Sequence, residues 1–113
     1  MATDLEITSE YAYGSKGIER VIDVTEDCPK ATKKRRCIFI YIRDKDGLMI
    51  DITRPYEGKK YKGCHVGFRI NKLYGLIEDF TNFDSCKLFD SCAMDLGLNA
   101  FELSVLIEKY IPK

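Results

Sequence analysis

Two runs of alternating apolar residues, Ile38-Phe39-Ile40-Tyr41-Ile42 and Leu48-Met49-Ile50-Asp51-Ile52, flank Arg43-Asp44-Lys45-Asp46-Gly47. Asp-Gly between alternating runs is a strong hairpin signal, so two antiparallel strands joined by a tight turn are expected here. A third strand is expected over residues 62–70, with Cys64, Val66, Phe68 and Ile70 on one face and His65 and Arg69 on the other. Asn71 can then cap a helix over 71–82 whose Leu73, Leu76, Ile77 and Phe80 fall at i, i+3, i+4 and i+7. That stripe needs a sheet to lie on. Residues 18–24 supply a candidate fourth strand, with Ile18, Ile22 and Val24 on one face and Val21 on the other.

The flanks are less regular. Residues 1–16 read as a flexible acidic arm ending in a Gly-Ser turn, and 17–83 as the core of four strands and one helix. Residues 84–113 form a C-terminal helical extension. Phe83-Asp84-Ser85-Cys86 is echoed by Phe89-Asp90-Ser91-Cys92 at a spacing that suits neither a solenoid nor a helical turn, so 82–92 is expected to be irregular. Beyond Gly97, Asn99 and Glu102 have the spacing of a capping box, and Phe101, Val105, Leu106 and Tyr110 give an apolar stripe ending at Pro112. The fold class expected is α+β: an antiparallel meander of about four strands, a helix and a helical extension.

A chain of 113 residues is one domain by size. One helix cannot cover Ile38, Ile40, Ile42, Ile50, Ile52, Leu73 and Ile77 within a single subunit, so a symmetric dimer is expected, joined through the 71–82 helices. No run approaches 18 apolar residues, and Met1-Ala2-Thr3-Asp4 is acidic where a secretory signal would be basic. A soluble, intracellular protein is expected, with no membrane partner. Cysteines 28, 37, 64, 86 and 92 are odd in number and contain no C-x-x-C pair, which argues for reduced thiols rather than a disulfide framework or a zinc site. The lone His65 has no evident nucleophile to serve and there is no glycine-rich phosphate loop, so no enzyme, cofactor or metal is expected.

The net charge is zero, but its distribution is uneven. Residues 1–30 carry a net −4, residues 31–72 a net +8, and residues 73–113 a net −4. A basic middle is the footprint of a polyanion binder. Lys33-Lys34-Arg35-Arg36 precedes the first strand, where it could grip phosphates or serve as a nuclear import signal. Phe39, Tyr41 and Arg43 then share one strand face. Rings interleaved with cations suit single-stranded nucleic acid, although a second subunit or the C-terminal tail could cover the same rings.

The order Arg43-Asp44-x-x-Gly47, Ile50-Asp51-Ile52, a basic loop closing at Lys62 and then Gly67-Phe68-Arg69-Ile70-Asn71 resembles the positive-cofactor-four transcriptional coactivators, over residues 36–80. The resemblance implies a curved sheet, a homodimer and binding of single-stranded or melted DNA, without strong sequence preference, in transcription or in replication and repair. It aligns Arg43 with a nucleic-acid-contacting arginine, Tyr56 with a stacking tryptophan and Lys62 with a basic loop residue. Lys45 stands where a ring is usual, Val66 where a base is usual and Thr53 in place of an arginine, so the aromatic platform is thinned.

The expected function is therefore a single-stranded DNA-binding protein, with RNA as a related ligand, at the nucleus or another site of transcription or replication. Phosphates would meet Arg35, Arg36, Arg43, Lys45, Lys59, Lys60 and Lys62, and bases would stack on Phe39, Tyr41 or Tyr56. The transcription or replication machinery is an expected partner. The alternative is a dimeric protein-interaction factor that keeps this fold and has lost most DNA binding. The missing ring at Lys45 and the C-terminal extension favour it.

Overall fold

The computed structural model describes residues 2–6, 17–57, 65–70 and 83–112. Five strands form one antiparallel meander in chain order: β1 (Thr3–Leu5), β2 (Ile18–Asp23), β3 (Arg35–Asp44), β4 (Gly47–Glu57) and β5 (His65–Ile70). Among the described residues two α-helices follow, α1 (Phe83–Leu96) and α2 (Ala100–Lys109). The helix expected over 71–82 lies outside the described residues. An α+β fold with an antiparallel sheet is as the alternation required, with one strand more than expected. Thr3–Leu5, read from sequence as part of an arm, pairs with Val21 to Asp23 of β2.

The longest pairing is the β3–β4 hairpin, with Asp44 opposite Gly47 across Lys45 and Asp46. Asp44 closes the turn by accepting the Asp46 N–H at 2.8 Å, and Gly47 supplies a φ of 121°. The expected alternation holds along β3. Cys37, Phe39 and Tyr41 belong to one apolar cluster, and Ile38 and Ile40 to another that includes Val21. Thr53, buried among these apolar residues, accepts the Ile38 N–H at 2.7 Å and donates to the Ile38 carbonyl at 3.2 Å. Its hydroxyl thereby satisfies the backbone at the register shift between Arg36 and Ile38.

A second irregularity overturns the face assigned to Ile18. The β2–β3 register shifts between Ile18 and Arg20, and Ile18 packs with Val21 and Ile40 instead of with Ile22 and Val24. One extra residue inverts the alternation beyond it. The chain approaches closely here: a Cβ on Gly17 would stand 2.2 Å from the Arg43 carbonyl oxygen, and Gly17 itself accepts the Arg43 N–H at 2.8 Å.

Residues 83–96 are helical where an irregular segment was expected. Phe89, Cys92, Ala93 and Leu96 fall at i, i+3, i+4 and i+7 and are all buried, a stripe that the intervening aspartates and serines hide in the sequence. Phe89 meets Phe68 of β5 edge to face at 5.1 Å. At the end of α1, Gly97 (φ 83°) donates to the Met94 carbonyl at 3.0 Å and Leu98 to Ala93 at 2.9 Å, a Schellman closure. The expected capping box of α2 is present: Asn99 Oδ1 accepts the Glu102 N–H at 2.8 Å, and the Asn99 N–H donates to Glu102 Oε1 at 3.0 Å.

The face that α2 buries differs from the expected stripe. Leu103, Leu106 and Ile107 face the sheet, while Phe101 is 75% exposed and Val105 45%. With Phe39, Tyr41, Ile50, Ile52, Val66 and Phe68 they form the main core, between the sheet and the two helices. The Tyr41 hydroxyl donates to the Ile107 carbonyl at 2.6 Å, which ties β3 to the last turn of α2. Arg20 adds a second tie, donating to the Tyr110 carbonyl at 2.9 Å and to Asp4 of β1 at 2.7 Å, with its guanidinium 5.5 Å from the Tyr110 ring.

Candidate nucleic-acid interface

Six of the residues expected to meet nucleic acid lie along β3 and the turn that follows it. Arg35 and Arg36 stand at the start of β3 and Arg43 near its end, with Lys45 in the hairpin turn beyond. Nine residues at the rise of an antiparallel strand separate the two ends of β3 by about 30 Å. Between them, Phe39 and Tyr41 are fully buried. The expectation that these two rings stack on bases is therefore corrected: the face they share is the one covered by the C-terminal helices. Burial also pushes the Tyr41 hydroxyl up from its ordinary range, against a smaller opposing pull from Arg20.

At the hairpin end the two arginines are already matched. Arg43 donates through Nε to Glu19, with a second contact at 3.3 Å. Arg69 makes a two-pronged pair with Asp44 at 2.9 Å through each nitrogen. The Arg69 guanidinium, with the Asp46 N–H, draws the Asp44 carboxyl down to about 2. Exposed pairs of this kind are weak and screened by salt, so they lessen the attraction of this end for phosphate without closing it.

The other end of β3 is more strongly basic. Thr32 and Arg35 exchange backbone hydrogen bonds at 2.9 and 3.0 Å, and the Thr32 hydroxyl accepts the Arg35 N–H at 3.1 Å. The short turn so closed carries Lys33 and Lys34 at its tip, both exposed. Lys30, two residues before this turn, is also exposed, and its N–H is pinned to the Leu96 carbonyl at 3.2 Å. The Thr32-x-x-Arg35 spacing was the available signal. Arg36 lies 3.7 Å from Asp23 and lines a small cleft with Lys33, Thr3 and Glu26.

Strand pairing brings further residues to this end. Glu57 is opposite Arg35 and Tyr56 opposite Arg36, while His65 re-enters the sheet opposite Thr53. The side chain of Tyr56 is outside what is described, as are Lys59, Lys60 and Lys62 altogether.

Cys28, Cys37 and Cys92 are buried, and burial, reinforced by Cys28, raises the Cys37 thiol well above its ordinary range. Among the described residues no group of three or more His, Cys, Asp or Glu side chains is placed to hold a metal ion. No described helix is long and apolar enough to cross a membrane. Comparison with family models, curated proteins and solved structures gives no match to this chain.

Proposed function

We propose that this protein is a non-catalytic nucleic-acid-binding module that grips a single strand through its phosphates at one end of the sheet. The observation that carries this reading is the tight 32–35 turn, which holds Lys33 and Lys34 in solvent, with Lys30 exposed two residues before it, at the end of the sheet where Glu57 pairs with Arg35. Such a surface neutralises phosphates and discriminates poorly between sequences. A homodimer working with the transcription or replication machinery, in the nucleus or another site of those processes, belongs to the same reading through the resemblance to the coactivators.

Titration of a single-stranded oligonucleotide at several salt concentrations tests it. Replacing Lys30, Lys33 and Lys34 together by alanine should weaken binding and reduce the slope of log affinity against log salt by about 2, at roughly 0.7 per phosphate contact. All three side chains are exposed, so the melting temperature should hold. An unchanged slope would move the contact elsewhere.

The burial of Phe39 and Tyr41 and the pairing of Arg36, Arg43 and Arg69 favour a second reading, a protein-interaction factor on the same scaffold. It predicts no measurable single-strand binding even at low salt.

A further inference from the structure

Helix α2 is apolar on both sides, and only one side is used by the core. Opposite Leu103 and Ile107, Phe101 and Val105 stand a turn apart in solvent and border a groove of about 300 Å³ whose walls include Leu98 and Leu106. Scattered exposed apolar residues need no explanation, but a phenyl ring three-quarters exposed beside an apolar groove marks a contact surface.

The charges on the groove identify the occupant. Glu102 lines it near the start of α2 and Lys109 at the end, two turns and about 10 Å apart along the axis. The surface has an apolar centre with Glu102 towards one end and Lys109 towards the other, and Asp27, which accepts the Tyr110 hydroxyl at 3.2 Å, is a second acid on its lining. Rotation by a half-turn about an axis midway between Glu102 and Lys109 sets each of these charges opposite its counterpart on a second copy. We infer that a second copy of this chain docks here, with the two α2 helices antiparallel. Glu102 of each copy then faces Lys109 of the other, and each Phe101 ring lies against the wall formed by Val105 and Lys109 of the second copy. The Lys109 ammonium already sits 5.3 Å from the Tyr110 ring, within reach of a second aromatic partner. A polyanion is disfavoured on this face, because Asp27 and Glu102 line the groove against one lysine. The inference is independent of the nucleic-acid reading and differs from a dimer joined through residues 71–82.

Sedimentation equilibrium on the full chain tests it. The unaltered protein should show a monomer–dimer equilibrium, and Phe101→Glu should raise the dimer dissociation constant at least about tenfold. Its melting temperature, extrapolated to the monomer, should stay the same, because the ring is exposed. Lys109→Glu and Glu102→Lys should each weaken self-association, while an equimolar mixture of the two should form a heterodimer with both ion pairs restored. Circular dichroism on each variant checks that α2 survives loss of the capping carboxylate. A protein that stays monomeric up to its solubility limit overturns the inference, and so does a dimer that Phe101→Glu leaves intact, whether it forms through residues 71–82 or any other surface. Single-strand affinity, measured on Phe101→Glu in parallel, reports separately on the proposed function.

Discussion

Replacing Phe39 by alanine should destabilise the protein by about 3–5 kcal/mol, the usual cost of deleting a fully buried ring and leaving a cavity. The ring has no exposed surface, meets Tyr41 edge to face at 6.4 Å and lies in the cluster that joins β3, β4 and β5 to both helices. Small domains have only about 5–15 kcal/mol in total, so the variant should be partly unfolded under mild conditions. Urea titration followed by circular dichroism measures the loss, with the slope on denaturant checking that unfolding stays two-state. A loss below about 1 kcal/mol would place the ring at a surface, outside the range expected for a core aromatic.

Leu103→Ala should cost about 2–5 kcal/mol, and the form of its unfolding curve is as informative as the size of the loss. Leu103 is fully buried in the same cluster as Phe39, although its helix lies beyond the part of the chain that resembles the coactivators. The Tyr41 hydroxyl on the Ile107 carbonyl and Arg20 on the Tyr110 carbonyl join α2 to β3 and β2. Sheet and helices should therefore melt in one transition with a lowered midpoint. An appended extension would instead lose its own helical signal in a separate, earlier step.

Much of this architecture was legible in the residues themselves. Alternation located β3, β4 and β5 and paired Phe39 with Tyr41 on one face, because a strand's period of two admits no other grouping. Asn99 and Glu102 announced the start of α2, because a capping box is a local device that the remainder of the chain does not alter. Alternation could not choose between leaving the Phe39 and Tyr41 face of β3 open and covering it, although both faces of the strand are buried. That choice depends on α1, whose stripe of Phe89, Cys92, Ala93 and Leu96 is interleaved with aspartate and serine. The bulge beside Ile18 was equally hidden, since nothing in Ile18-Glu19-Arg20 signals an extra residue until β2 is laid against β3. For the candidate site, sequence showed where cations are dense, but not that Glu19, Asp23 and Asp44 would reach Arg43, Arg36 and Arg69 from other strands. Ion pairs between strands are made by register, which a charge count along the chain does not contain.

With the rings of β3 in the core, the proposed grip on a strand is electrostatic. Phe39→Leu removes the aromatic face while nearly conserving volume, so the fold should be kept at a cost below about 1.5 kcal/mol. Measuring its melting temperature and its affinity for a single-stranded oligonucleotide side by side tests the claim most directly. A slightly lowered melting temperature with affinity equal to that of the unaltered protein is the predicted result. A folded variant that loses about 1–3 kcal/mol of single-strand affinity, the worth of one base stacked on a ring, would contradict it.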